Sequence, residues 1–200
     1  MSAKDLYAEL TTGLGLELAE KGFSPKGNSW VRPADDNWAI IGCQKSPKST
    51  TEEIIFTIEY GIFSRLISDF FTPDFADKVP TLATCHWRRN LTALLSQSEQ
   101  QWWTVANTQI QTLKAELVGH LNKLALPDLN THLTDKQLGA AWFTGQAPGI
   151  TEFQRLAFVS VILKKINRPN ELMDVLSEME TSFTGKPEQA EMEAHLEKIL

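Results

Sequence analysis

Thr57, Glu59, His86, Arg88 and Asn90 are the residues of this 200-residue chain whose types and spacing could do chemistry together. They lie on two stretches that read as strands, and alternate side chains on a strand share one face. Thr57 and Glu59 therefore fall on one side of residues 52–63, EEIIFTIEYGIF, while His86, Arg88 and Asn90 share a side of residues 86–91. If the two strands are neighbours, Glu59 can reach Arg88 or His86. A carboxylate beside an imidazole makes an acid/base pair, and Arg88 offers a planar fork for a carboxylate or phosphate. The plainer reading is a solvated sheet face stitched by cross-strand ion pairs, each contributing under about 1 kcal/mol.

No other grouping makes a stronger case. The chain has no Walker loop, no GxGxxG and no GxSxG, so the usual marks of nucleotide motors and hydrolases are missing. Cys43 and Cys85 form no CxxC pair, and Cys85 and His86 point to opposite faces of a strand, the wrong geometry for chelating one metal. His120, His132 and His195 are scattered without HxxxH or HExxH spacing. The reading is accordingly no catalytic residue, no metal and no cofactor, which leans away from an enzyme. Trp102 and Trp103 read as a plug between helix and sheet, and Trp30 with Trp38 as a hairpin packing pair. Arg89 shares an apolar side with Trp87 and Leu91, so it must find a carboxylate or lie at the sheet margin.

The elements that must position these residues follow from periodicity. Ile54, Phe56, Ile58, Tyr60 and Ile62 give residues 52–63 one wholly apolar face, which is core. Leu6, Leu10, Leu14 and Leu18 mark an amphipathic helix over 3–21, and short strands follow at 29–32, closed by Pro33, and at 38–45. Residues 64–84 have no steady period; Phe70, Phe71 and Phe75 read as a cap over the core. From Glu99 a helical period through Trp103, Ile110, Leu117 and Leu124 predicts one helix of about six turns ending at Pro127. Thr134 with Gln137 and Thr151 with Gln154 have capping-box spacing and start two more helices, and the last two run over about 170–181 and 187–200. The predicted fold is α+β: a four-stranded antiparallel sheet packed by the N-terminal helix and a long central helix, with a C-terminal helical annex. The division is 1–126 and 127–200, or one continuous domain.

The segments KGFSPKGNSWVR, GCQKS, FTIEYGIF, CHWRRNLTALL and QQWW, in that order, resemble the family known as domain of unknown function 4304 over about residues 6–105. Gly22, Phe23, Gln44, Lys45, Ser46, Phe56, Gly61, Cys85 with His86, and the Trp102, Trp103 pair carry the likeness most specifically. After Cys-His-Trp the family pattern runs Arg, any residue, Arg, Ile, Gly; this chain keeps Arg88 but has Asn90 at the second arginine and Thr92 at the glycine. The resemblance implies an α+β fold and no particular activity.

Hydrophobic residues at 42% and charged residues at 22% fit a folded globular domain. The formal charge of −6 is shared equally by the two halves, and without a basic stripe nucleic acid is not an expected partner. No basic leader runs into an apolar stretch and no 18-residue apolar segment occurs, so no membrane is expected and the localisation is read as cytoplasmic. On this basis the chain reads as a non-enzymatic protein-interaction module, adaptor- or immunity-like, with another protein as partner. The alternative is a small-anion-binding or acid/base enzyme site around Glu59, His86 and Arg88.

Overall fold

The computed structural model describes residues 2–73, 78–95, 102–106 and 109–200. Helix α1 (Ala3–Ala19) starts at Ser2, whose hydroxyl accepts from the Asp5 N–H while the Asp5 carboxylate accepts from the Ser2 N–H, a reciprocal cap. Strands β1 (Ser24–Lys26), β2 (Ser29–Ala34), β3 (Asn37–Lys45) and β4 (Ile54–Phe63) then form an antiparallel meander in chain order. Helix α2 (Arg65–Phe71) and a 3-10 turn (Leu82–Thr84) lead to β5 (Trp87–Asn90), and β6 (Trp103–Val105) comes later. Both pair with β4 antiparallel, β5 along Glu59–Ile62 and β6 along Ile54–Phe56.

The sheet thus has six strands where four are expected. Pro33 does not end β2 but pairs with Trp38, beyond β1, whose partners stop at Val31; on such an edge stretch proline is tolerated. Trp30 and Trp38 consequently face opposite sides of the sheet and are not a packing pair. The six-turn helix is a second correction. Trp103, Thr104 and Val105 prefer extended backbone and add to β4, so the helix begins only at Ile110, with α3 (Ile110–His120). A π turn (Leu121–Ala125) continues the same helical backbone into α4 (Leu126–Thr131), so Pro127, expected to end the helix, lies within it directly after the π turn. Trp103 does plug the core, with Phe56 beside it and its indole N–H on Glu116.

One sheet face carries Ile41, Cys43, Phe56, Ile58, Tyr60 and Ile62, and α1 and α3 cover it with Leu10, Leu14, Leu18, Leu113 and Leu117. Below lies the helical part: α5 (Asp135–Phe143), α6 (Glu152–Lys165), α7 (Pro169–Phe183) and α8 (Gln189–Ile199). The expected capping boxes at Thr134 and Thr151 are formed. Helix α6 is the axle of this part. Every residue from Arg155 to Leu163 is buried, because α2, α5, α7 and α8 pack around it. Arg155 is held there by Glu152, Glu178 and the Trp142 carbonyl. The helical part is tied back to the sheet by Asp135, whose carboxylate accepts from the Ser64 hydroxyl (2.7 Å) and the Asn37 amide (3.0 Å). Among the described residues no helix is long and apolar enough to cross a membrane.

Candidate functional site

The second sheet face, read from sequence as wet or site-bearing, is partly roofed. Gly61 is why: a Cβ there would meet the Trp87 carbonyl at 2.5 Å and the Cys85 Sγ at 3.0 Å, so only glycine lets residues 81–86 lie flat on β4. The 3-10 turn, the end of α2 and the start of α6 surround what is left open.

The strand register separates the five candidate residues. Glu59 is opposite Asn90, whereas the His86 N–H bonds Ile62 O at the far end of the pair. Four residues of strand, about 13 Å, divide them, so Glu59 and His86 are not an acid/base couple. Thr57 is buried, and the Asn90 amide donates to its hydroxyl at 2.8 Å. The Asn90 side-chain oxygen also accepts from the Thr92 N–H (3.0 Å) and hydroxyl (2.7 Å). Its hydrogen bonds are spent on holding the turn after β5. Glu59 makes no hydrogen bond or ion pair with a described residue.

His86 and Arg88 do come together, on a cavity of about 470 Å³. Its sheet-side wall is Phe63, Cys85, His86 and Arg88; Phe71 and Thr72 close one end. The facing wall is Ile150, Phe153, Gln154 and Phe158 from α6 and its approach, with Glu191 of α8 at the side. The His86 ring packs against Phe63 and Phe158, each with centroids 5.2 Å away. Its Nδ1 accepts from the Ser64 backbone N–H at 3.1 Å, so the ring proton is on Nε2. Burial pulls the pKa of His86 down to about 4, which keeps it neutral. Burial pushes the Cys85 thiol up, out of the reactive thiolate range.

Arg88 is half-buried and also borders a second, more open hollow of about 480 Å³ with Arg89, Asn90, Leu94 and residues 146–149. Its backbone N–H donates to Pro148 O at 3.1 Å. Gly149, at φ +77°, lets that loop touch down, since a Cβ would lie 2.7 Å from Arg88 O. The Arg88 guanidinium has no hydrogen bond or ion pair with a described residue. Arg89, on the other face, finds the carboxylate it needs: Asp128 at 3.7 Å. Asp128 also accepts from the Tyr60 hydroxyl (2.9 Å) and lies 3.4 Å from His132 Nδ1. Burial alone would raise its pKa, but His132, Tyr60 and Arg89 outweigh this and hold the carboxyl below its usual range.

A profile of the family described as Domain of unknown function (DUF4304) matches residues 14–131. The chain belongs to this family. No curated protein and no solved structure gives a significant match. The DUF4304 segment supplies the sheet-side wall of the cavity, while Ile150, Phe153, Phe158 and Glu191 lie beyond it. These were not legible as site residues, because nothing in WFTGQAPGI marks it as more than a Gly- and Pro-punctuated connection; the Pro148, Gly149 pair is the one local sign of a close approach. Phe75, expected over the core, lies outside the described residues. Among the described residues no group of three or more His, Cys, Asp or Glu could hold a metal ion.

Proposed function

We propose that this chain is a ligand-binding domain whose cleft takes a small anion at Arg88, with the His86 Nε2–H as a fixed second donor. The single observation that carries the reading is Arg88, a half-buried residue on the wall of a cavity, whose guanidinium pairs with no described residue. A guanidinium drawn partly out of water needs compensation, and Arg89 next to it has Asp128. An incoming anion would compensate Arg88 as Asp128 does Arg89, with room for a bidentate bond on the planar fork. Binding is favoured over acid/base catalysis because a His86 with a pKa of about 4 is a weak base at neutral pH, and Glu59 sits at the wrong end of the strand pair. In this reading residues 1–126 and the helical annex of 127–200 each supply one wall.

The test is thermal stability of the wild type and Arg88→Ala against small carboxylates and phosphates. A ligand at a hundred times its Kd stabilises by about 2.7 kcal/mol, or roughly 5 to 11 °C for a chain of this size. The expected result is a shift in the wild type that Arg88→Ala abolishes; no shift with any anion overturns the reading.

A second reading, the protein-interaction module, draws support from charge. Residues 167–200 hold eight carboxylates against three cations, a concentration that counting by halves conceals. A partner recovered by the wild type at low salt, but not by a variant with Glu180, Glu193 and Glu197 changed to lysine, would favour it.

A further inference from the structure

Resting on the reading of the cleft as an anion site, we propose that its ligand is a monocarboxylate with a compact apolar body, of the arylalkanoic or branched-alkanoic kind, and not a phosphate ester or nucleotide. Charge is the first reason. The wall offers one guanidinium, Arg88, while His86 is a neutral donor and Glu191 contributes a carboxylate of its own. A single planar fork matches a monoanion; a phosphate dianion, with three acceptor oxygens, needs more cation or N–H than this. The start of α6 borders the cavity, but it is not an open phosphate cradle. Its capping box already engages the N–H groups of Thr151 (2.9 Å) and Gln154 (3.2 Å).

The remaining wall is the second reason. Phe63, Phe71, Phe153, Phe158 and Ile150 supply rings and a branched alkyl group, while the polar side chains beside them are engaged within their own turns: the Thr72 and Thr84 hydroxyls donate to Ser68 O and Thr81 O, and the Gln154 side-chain oxygen accepts from the Thr151 N–H. A sugar or glycerol body would leave its hydroxyls unpaired against these side chains, whereas a ring or branched chain would pack edge to face. The volume of about 470 Å³ lies in the lower half of the range for small-ligand sites, which suits a body of this size.

Calorimetry at neutral pH tests this with 3-phenylpropionate, its uncharged amide, acetate, phenyl phosphate and adenosine monophosphate, against the wild type and Arg88→Gln. Expected are binding of 3-phenylpropionate, at least tenfold weaker binding of acetate, no detectable binding of the amide, and a roughly 10- to 100-fold loss in Arg88→Gln, the effect of removing a charge-assisted pair. The comparison of acid with amide uses only the wild type, so it stands even if the variant folds poorly. Phenyl phosphate or the nucleotide binding more tightly than 3-phenylpropionate would overturn the ligand class while leaving the anion site intact. Equal binding of acid and amide, or of acetate and 3-phenylpropionate, would also overturn it. If none of the anions binds, both this inference and the reading beneath it fail.

Discussion

Acid should weaken this protein well before its carboxylates titrate, because of one buried and one half-buried imidazole. His86 is packed between Phe63 and Phe158; His195, 5% exposed, is stacked on Phe71 and bonded through Nε2 to Ser160 at 2.8 Å, with its Nδ1 buried and unpartnered. Burial lowers both to about 4, and at His195 the charge of Lys198 adds to the effect. The ordinary value is 6.5. Between these values the unfolded chain binds protons that the folded chain refuses, so stability is full above about pH 6.5 and falls as pH drops toward 4. From pH 7 to pH 5 each histidine accounts for about 2 kcal/mol and the pair for about 4 kcal/mol, on the linkage relation. That corresponds to a fall in Tm of roughly 8 to 15 °C. Asp128 and Glu152 have carboxyls held below their usual values, so their contributions are lost only further down. Equilibrium urea unfolding at pH 7, 6 and 5 measures the effect. His86→Gln and His195→Gln should each remove about half of the pH dependence, whatever they do to stability at pH 7. Stability constant within about 1 kcal/mol across this range, or a slope unchanged in both variants, would refute the reasoning.

Three further outcomes are expected from urea unfolding at pH 7. Gly149→Ala forces a side chain onto a left-handed backbone against the Arg88 carbonyl and should cost about 1–3 kcal/mol while also displacing Arg88. Asp128→Ala strands the buried Tyr60 hydroxyl and deprives Arg89 of its partner, a loss of about 2–4 kcal/mol; adding Tyr60→Phe should recover part of it, and additivity of the two changes would argue against the bond. Arg155→Ala removes the donor to the Trp142 carbonyl from within the helical packing and should cost about 2–3 kcal/mol, whereas Glu152→Ala, at an exposed carboxylate, should cost under about 1 kcal/mol.

Local patterns carried much of this fold. The alternation in Ile54 to Ile62 and the leucines of α1 identified the core face, and Thr134 and Thr151 marked true helix starts. What failed were segments where two periods compete. Trp103 fits a helical stripe as well as a strand, and only the vacant edge of β4 at Ile54–Phe56 decides between them. Arg89 was legible because burying a cation constrains the answer: it needs a carboxylate, and Asp128 supplies one across 39 positions of chain. Arg88 and His86 were legible as a pair but not with their cavity. The opposite wall comes from Phe153 and Phe158, whose helical spacing reads as ordinary core until the loop at Pro148 and Gly149 sets α6 over β5.

That loop has a meaning for the protein among copies of itself. The outer margin of a sheet is a row of unsatisfied backbone groups on which another chain can add a strand. At β5 the margin is occupied: the Arg88 N–H, the donor an incoming strand would seek, is already bound to Pro148, and a proline has no N–H with which to continue the ladder. The loop therefore acts as a stopper on sheet growth as well as a wall of the cavity, and loosening it would favour association through β5 before it unfolded the core.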